Sequence, residues 1–160
     1  ITATLGTITL SGVSNSPTPS PTPAPTTTVT GVVGTKGLGA LTATGTYSAT
    51  TYTVTVASYS GANYFYIDSS RAATLSLTEG QYYRFDQSDS SNSSHPLRFS
   101  TTSNGTHGGG SEYTTGVTTN GTPGSSGAYT QIEVASGAPT LYYYCTNHSG
   151  MGGQINTWHI

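Results

Sequence analysis

The stretch LYYYCTNHSGMGG, residues 141–153, decides how this chain is read. In LYYYC, alternate side chains belong on one face of a strand, with Leu141, Tyr143 and Cys145 turned inward. TNHSGMGG follows with no apolar periodicity and three glycines, so it reads as a tight loop that turns the chain back. Cys145 therefore ends a strand. His148 and Met151 follow three and six residues later, too soon for the loop to carry them away from the cysteine.

Working upstream, TYTVTVA, NYFYID, ATLSL, QYYRFDQ, PLRFST and YTQIEVA are further runs of β-branched and aromatic residues, separated by Gly, Asn, Asp and Ser. Seven or more short strands in about 110 residues predict a β-sandwich with Greek-key connections. Only 6% of residues are charged and 32% apolar, with 21 glycines, a usage that favours strands and turns over helices. No helix is required anywhere. Ser103–Gly127 is so rich in Gly, Asn, Ser and Thr that it reads mostly as loop, with one short strand at Glu112–Thr118. Tyr is the commonest large residue, so the core should be aromatic.

The N-terminal third reads differently. Residues 1–15 contain an alternating apolar pattern (Ile1, Ala3, Leu5, Ile8, Leu10), either a short strand able to pair with a neighbour's sheet edge or a tail. Residues 16–28 form a Pro/Thr-rich spacer whose alternate prolines favour extended polyproline II at about 3.1 Å per residue. Residues 29–50 are a Gly/Thr-rich connecting segment, and residues 51–160 the sandwich.

Formal net charge is −2, and the basic residues Lys36, Arg71, Arg84 and Arg98 are scattered singly. No stripe exists to neutralise a phosphate backbone or an anionic membrane, which argues against nucleic-acid and membrane partners. There is no run of 18 apolar residues, and ITATLGTITL lacks both the basic start and the continuous apolar stretch of a signal peptide.

A lone cysteine makes no intrachain disulfide, so Cys145 is a buried small residue, a reactive thiol, an intermolecular link or a metal ligand. The ligand reading gains from its neighbours. His95, in SSHPLRFS, opens a strand fifty residues upstream, with Pro96 fixing the backbone behind it. One thiolate, two imidazoles and one thioether from His95, Cys145, His148 and Met151 suit copper in both oxidation states. Taken singly, each has an ordinary role: packing for the cysteine, a turn for a His before Pro, an exposed hydrophobe for the Met. The pattern argues for metal only as a set. His107 and His159 have no such frame and read as surface or packing residues, with a spare soft ligand as the alternative for His107. Asp86 and Asp89 lie near His95, where a carboxylate could orient an imidazole, but DQSDSSNSS reads more simply as turn. The sequons at Asn92, Asn104, Asn120 and Asn147 are what this composition produces by chance.

CTNHSGM with an upstream strand histidine resembles the cupredoxin family, in particular members with the short Cys-x2-His-x2-Met loop of the amicyanin type. The resemblance covers residues 52–160 and implies a cupredoxin-like fold with His95, Cys145 and His148 as equatorial copper ligands and Met151 as the axial one. Ser103–Gly127 is longer and richer in glycine than a compact member of that family needs. YRFDQSDSSNSSHPLRFSTTSNGTHGGGSEYTTGV and APTLYYYCTNHSGMGG also resemble a module that recurs in predicted structural proteins of marine bacteriophages, especially those infecting cyanobacteria. That likeness implies a virion or extracellular surface setting, such as a capsid decoration or fibre. The expectation is a structural subunit that assembles with copies of itself or other subunits through residues 1–15, with a blue-copper electron-transfer protein as the alternative. Enzymatic use of the copper is disfavoured, since Cys145 is flanked by Tyr144 and Thr146 rather than by a histidine that could wire it to a second cluster.

Overall fold

The computed structural model describes residues 48–159. The expected N-terminal arm, the spacer and nearly all of the connecting segment lie outside them. The described chain is all-β, with eleven strands: β1 (Thr50–Tyr59), β2 (Ala62–Ile67), β3 (Ser70–Arg71), β4 (Leu75–Thr78), β5 (Tyr82–Asp86), β6 (Leu97–Ser100), β7 (Glu112–Tyr113), β8 (Val117–Asn120), β9 (Tyr129–Glu133), β10 (Leu141–Cys145) and β11 (Gly153–Trp158). They form two sheets, ordered β3-β2-β1-β5-β9-β8 and β4-β11-β10-β6-β7. Each sheet is mixed: β1 pairs in parallel with β5, and β11 with β4, while the other pairs are antiparallel. No helix among the described residues is long and apolar enough to cross a membrane.

The sandwich follows from period-two alternation, which hands each sheet one apolar face. Val54, Phe65, Ile67, Phe85 and Ile132 point inward from the first sheet; Leu77, Leu97, Phe99, Leu141, Tyr143, Cys145 and Ile155 point inward from the second. Phe85 sits at the centre. Its ring lies 5.3 Å from that of Tyr52, 5.3 Å edge-on from Phe99 and 6.4 Å from Tyr143, so one aromatic stack joins the two sheets.

All seven expected strands are present, and the sequence missed two. The two-residue β3 is too short to show a pattern, and β11 (GQINTW) carries a single buried apolar residue, Ile155, among polar ones. The strand expected at Glu112–Thr118 is two: β7 joins the second sheet and β8 the first, so the chain crosses the sandwich between them. Single 3-10 turns at Ser90–Asn92 and Gly105–Gly108 replace what reads as plain loop.

Phe85→Ala should cost about 3–5 kcal/mol, because the cavity would open where four rings meet. Chemical denaturation of the two proteins measures it, and a loss below about 1 kcal/mol would show that the aromatic stack does not carry the core.

Candidate metal centre

The site lies at the end of the sandwich where β6 begins and β10 ends. His95 reaches it from a turn built by local hydrogen bonds. Asp89 Oδ1 accepts from Ser91 N at 2.9 Å and caps the Ser90–Asn92 turn, so Asp89 has the turn role that its sequence suggested. Asp86 likewise accepts from Ser88 N. His95 N then donates to Asn92 O at 2.8 Å, and Ser94 adopts a left-handed conformation (φ 66°) to bring the chain round.

Two carboxamides fix this turn from inside. Asn92 and Gln87 are 0% and 1% exposed, and both are satisfied. Asn92 Nδ2 donates to Val54 O at 2.7 Å, which ties the turn to β1. Gln87 Nε2 donates to Asn92 Oδ1 and to His95 O, while Gln87 Oε1 accepts from Leu97 N. The histidine's backbone is thus held on both sides by buried polar groups, a costly arrangement to break.

Cys145 and His148 come from the other side. Thr146 N donates to Pro96 O and Asn147 Nδ2 to Ser94 O, which laces the loop after β10 onto the His95 turn. Cys145 Sγ lies 3.8 Å from His95 Nδ1 and 3.6 Å from His148 Nδ1, and the three donor atoms lie within 4.8 Å of one another. The imidazole centroids are 4.5 Å apart. Cys145 is fully buried, His95 half-buried and His148 exposed.

Burial pushes the Cys145 thiol above its ordinary value, while the amides of Asn147 and His148, directed at the sulfur, pull the other way. Burial, and then the neighbouring His148, hold His95 below the ordinary imidazole value, which favours the neutral form that ligates. Metal uptake would therefore displace the thiol proton.

The donor set fits a soft or borderline ion. The cluster contains no carboxylate, so it does not suit calcium or magnesium. His95, Cys145 and His148 would hold a soft or borderline ion through one sulfur and two imidazole nitrogens. The structure thus brings together three of the four expected ligands as a group able to hold a metal ion. Met151, the fourth, closes the same loop, 1% exposed within the hydrophobic core, and its carbonyl accepts from Phe65 N at 2.9 Å.

Sequence reasoning missed the supports. His107, read as surface or packing, places Nε2 3.0 Å from the Cys145 carbonyl oxygen, so that nitrogen carries the proton. Asn104 Oδ1 accepts from Gly150 N, and its Nδ2 donates to Ser149 Oγ, bracing the ligand loop from outside. Gln87, Asn92 and Asn104 carry no signal in the sequence, because their partners lie far along the chain or on the backbone. His159 is remote, paired with Glu79 at 2.9 Å. No protein-family model matches the chain, and no curated protein matches it.

Asn92→Ala should cost about 1–3 kcal/mol in the metal-free protein by orphaning the Val54 carbonyl and a Gln87 N–H. It should also weaken metal binding about 10- to 100-fold by releasing the His95 turn. Denaturation and metal titration of the same variant measure the two effects; unchanged affinity would show that the network does not position His95.

Proposed function

We propose that the sandwich is a cupredoxin-like module that would bind copper through His95, Cys145 and His148, with Met151 as a weaker fourth ligand. The single observation that carries this is the sulfur of Cys145 within 3.6–3.8 Å of two imidazole nitrogens. A second support is connectivity: the ligand loop joins the adjacent antiparallel strands β10 and β11, and the remaining histidine opens β6 on the other side of β10. Copper bound there would supply one-electron redox capacity and a covalent tie. The residues themselves fix the donors, bury the sulfur and leave one imidazole at the surface.

We further propose that the chain is a structural subunit of a virion or other extracellular assembly, in which the metal clamps the ligand loop to the His95 turn and adds binding to folding free energy. The Pro/Thr spacer and the alternating pattern of residues 1–15 support this reading, since a small diffusible carrier has no use for an arm held at a distance. The exposed His148 favours the second reading, a blue-copper electron carrier, because a ligand imidazole at the surface is where a redox partner would dock.

Copper(II) added to the metal-free protein should produce the intense thiolate-to-copper absorption of a blue site. Cys145→Ser should abolish that band, and Met151→Leu should keep it with a shifted potential. Absence of the band in the parent protein sinks the copper assignment.

Removing residues 1–28 should convert an oligomer into a monomer by light scattering. A full-length chain that is already monomeric, with rapid electron exchange at the copper, would favour the carrier instead.

A further inference from the structure

A cleft of about 300 Å³ opens on the outer face of the second sheet, next to the ligand loop but on the opposite side of β10 from the core. Register explains it. Tyr142 points outward from β10, and its cross-strand neighbours are Gln154 on β11 and Ser100 on β6. Loop residues Ser103 and Asn104 rise as one wall and the backbone of Gly150, Gly152 and Gly153 as the other. We propose that this cleft binds a neutral carbohydrate of one or two sugar rings.

The lining decides the ligand class. The lining residues are Tyr142, the core residue Tyr143, the carboxamides Asn104 and Gln154, the hydroxyl Ser103 and three glycines, with no Lys, Arg, Asp, Glu or His among them. An ion or a phosphate ester finds nothing to neutralise it there. A purely apolar ligand would strip water from the amides and the glycine backbone without replacing those hydrogen bonds. A sugar ring offers both surfaces the cleft asks for: a C–H face to lie on the phenol ring, and hydroxyls that donate and accept in turn, as carboxamides do. The volume lies at the small end of the ~300–1,000 Å³ range of small-ligand clefts, which excludes a long chain threaded through it.

The polar groups are also pre-set. Asn104 is held at both ends by Gly150 N and Ser149 Oγ, which leaves its second N–H available. Gln154 Nε2 donates to Asn156 Oδ1 at 2.8 Å, which orients the amide and leaves Gln154 Oε1 without a protein partner among the described residues. Little side-chain freedom is lost when a ligand arrives, which favours measurable affinity from a shallow site. This inference stands apart from the copper reading, since no lining residue is a proposed ligand.

The test is an amide NMR titration of the full-length chain with glucose, galactose, mannose, N-acetylglucosamine, maltose and lactose. At least one sugar should shift the amides of Gly150, Gly152, Gly153 and Gln154 and the Asn104 side chain, with a Kd on the order of 1 mM. Tyr142→Ala and Gln154→Leu should each weaken binding about tenfold, and Gln154→Leu, on an outward-facing position, keeps the test open if Tyr142→Ala does not fold. No shift with any sugar, equal affinity in Gln154→Leu, or stronger shifts with glucuronate or adenosine than with every neutral sugar would each overturn the proposal.

Discussion

The buried carboxamide pair Gln87–Asn92 is the interaction on which the functional end of the molecule depends. Asn92 reaches β1 through the Val54 carbonyl; Gln87 reaches the start of β6 through Leu97 N and His95 O. The two side chains bond to each other, so the first sheet, the 3-10 turn and the second sheet share one polar network inside an apolar core. Each hydrogen bond adds only about 0.5–1.5 kcal/mol net, but leaving any member unpaired costs more than making it gains. A network of that kind admits one arrangement of the turn. His95 is aimed because the alternatives strand a buried amide.

That network positions one donor of the candidate site, His95. The sulfur sits at the end of a strand that the core already fixes through Leu141 and Tyr143, and the loop after it is stitched to the His95 turn by Thr146 and Asn147. Gly152 belongs to the same device. A Cβ there would overlap the Tyr143 carbonyl oxygen, so the chain leaves the loop against the strand it has just completed only because that residue has no side chain. The donors are thus gathered by protein contacts.

How much of this the sequence disclosed depends on the range of each interaction. The runs TYTVTVA, NYFYID and LYYYC are local signals, and strands stand where they placed them, with Leu141, Tyr143 and Cys145 of the last buried as read. The cluster of His95, Cys145 and His148 was legible because its residue types are rare in this chain and chemically specific. β11 was not legible, since Gln154, Asn156 and Thr157 blur its pattern, and its place between β4 and β10 comes from pairing that no local window contains. The same holds for Asn92. It reads as one more turn residue in a Ser/Asn run, and only the fold brings the Val54 carbonyl to it from 38 residues away.

The long glycine-rich segment after β6 gains a physical reason from the same accounting of contacts. Tyr144 faces away from the core yet is 1% exposed, because the Gly105–Gly108 turn folds over it. Gly105 is placed directly on that ring, where a Cβ would overlap the ring carbons, and its φ of 55° suits glycine. From this seat the segment extends Asn104 to Ser149 and Gly150, and His107 to the Cys145 carbonyl. The ligand loop is therefore held from two sides, by the His95 turn within and by this segment without. A compact sandwich with a short connection here would leave the outer side of the loop to solvent. The extra residues act as a buttress for the loop that carries His148, and the Tyr142 cleft is the space left where the buttress meets the sheet.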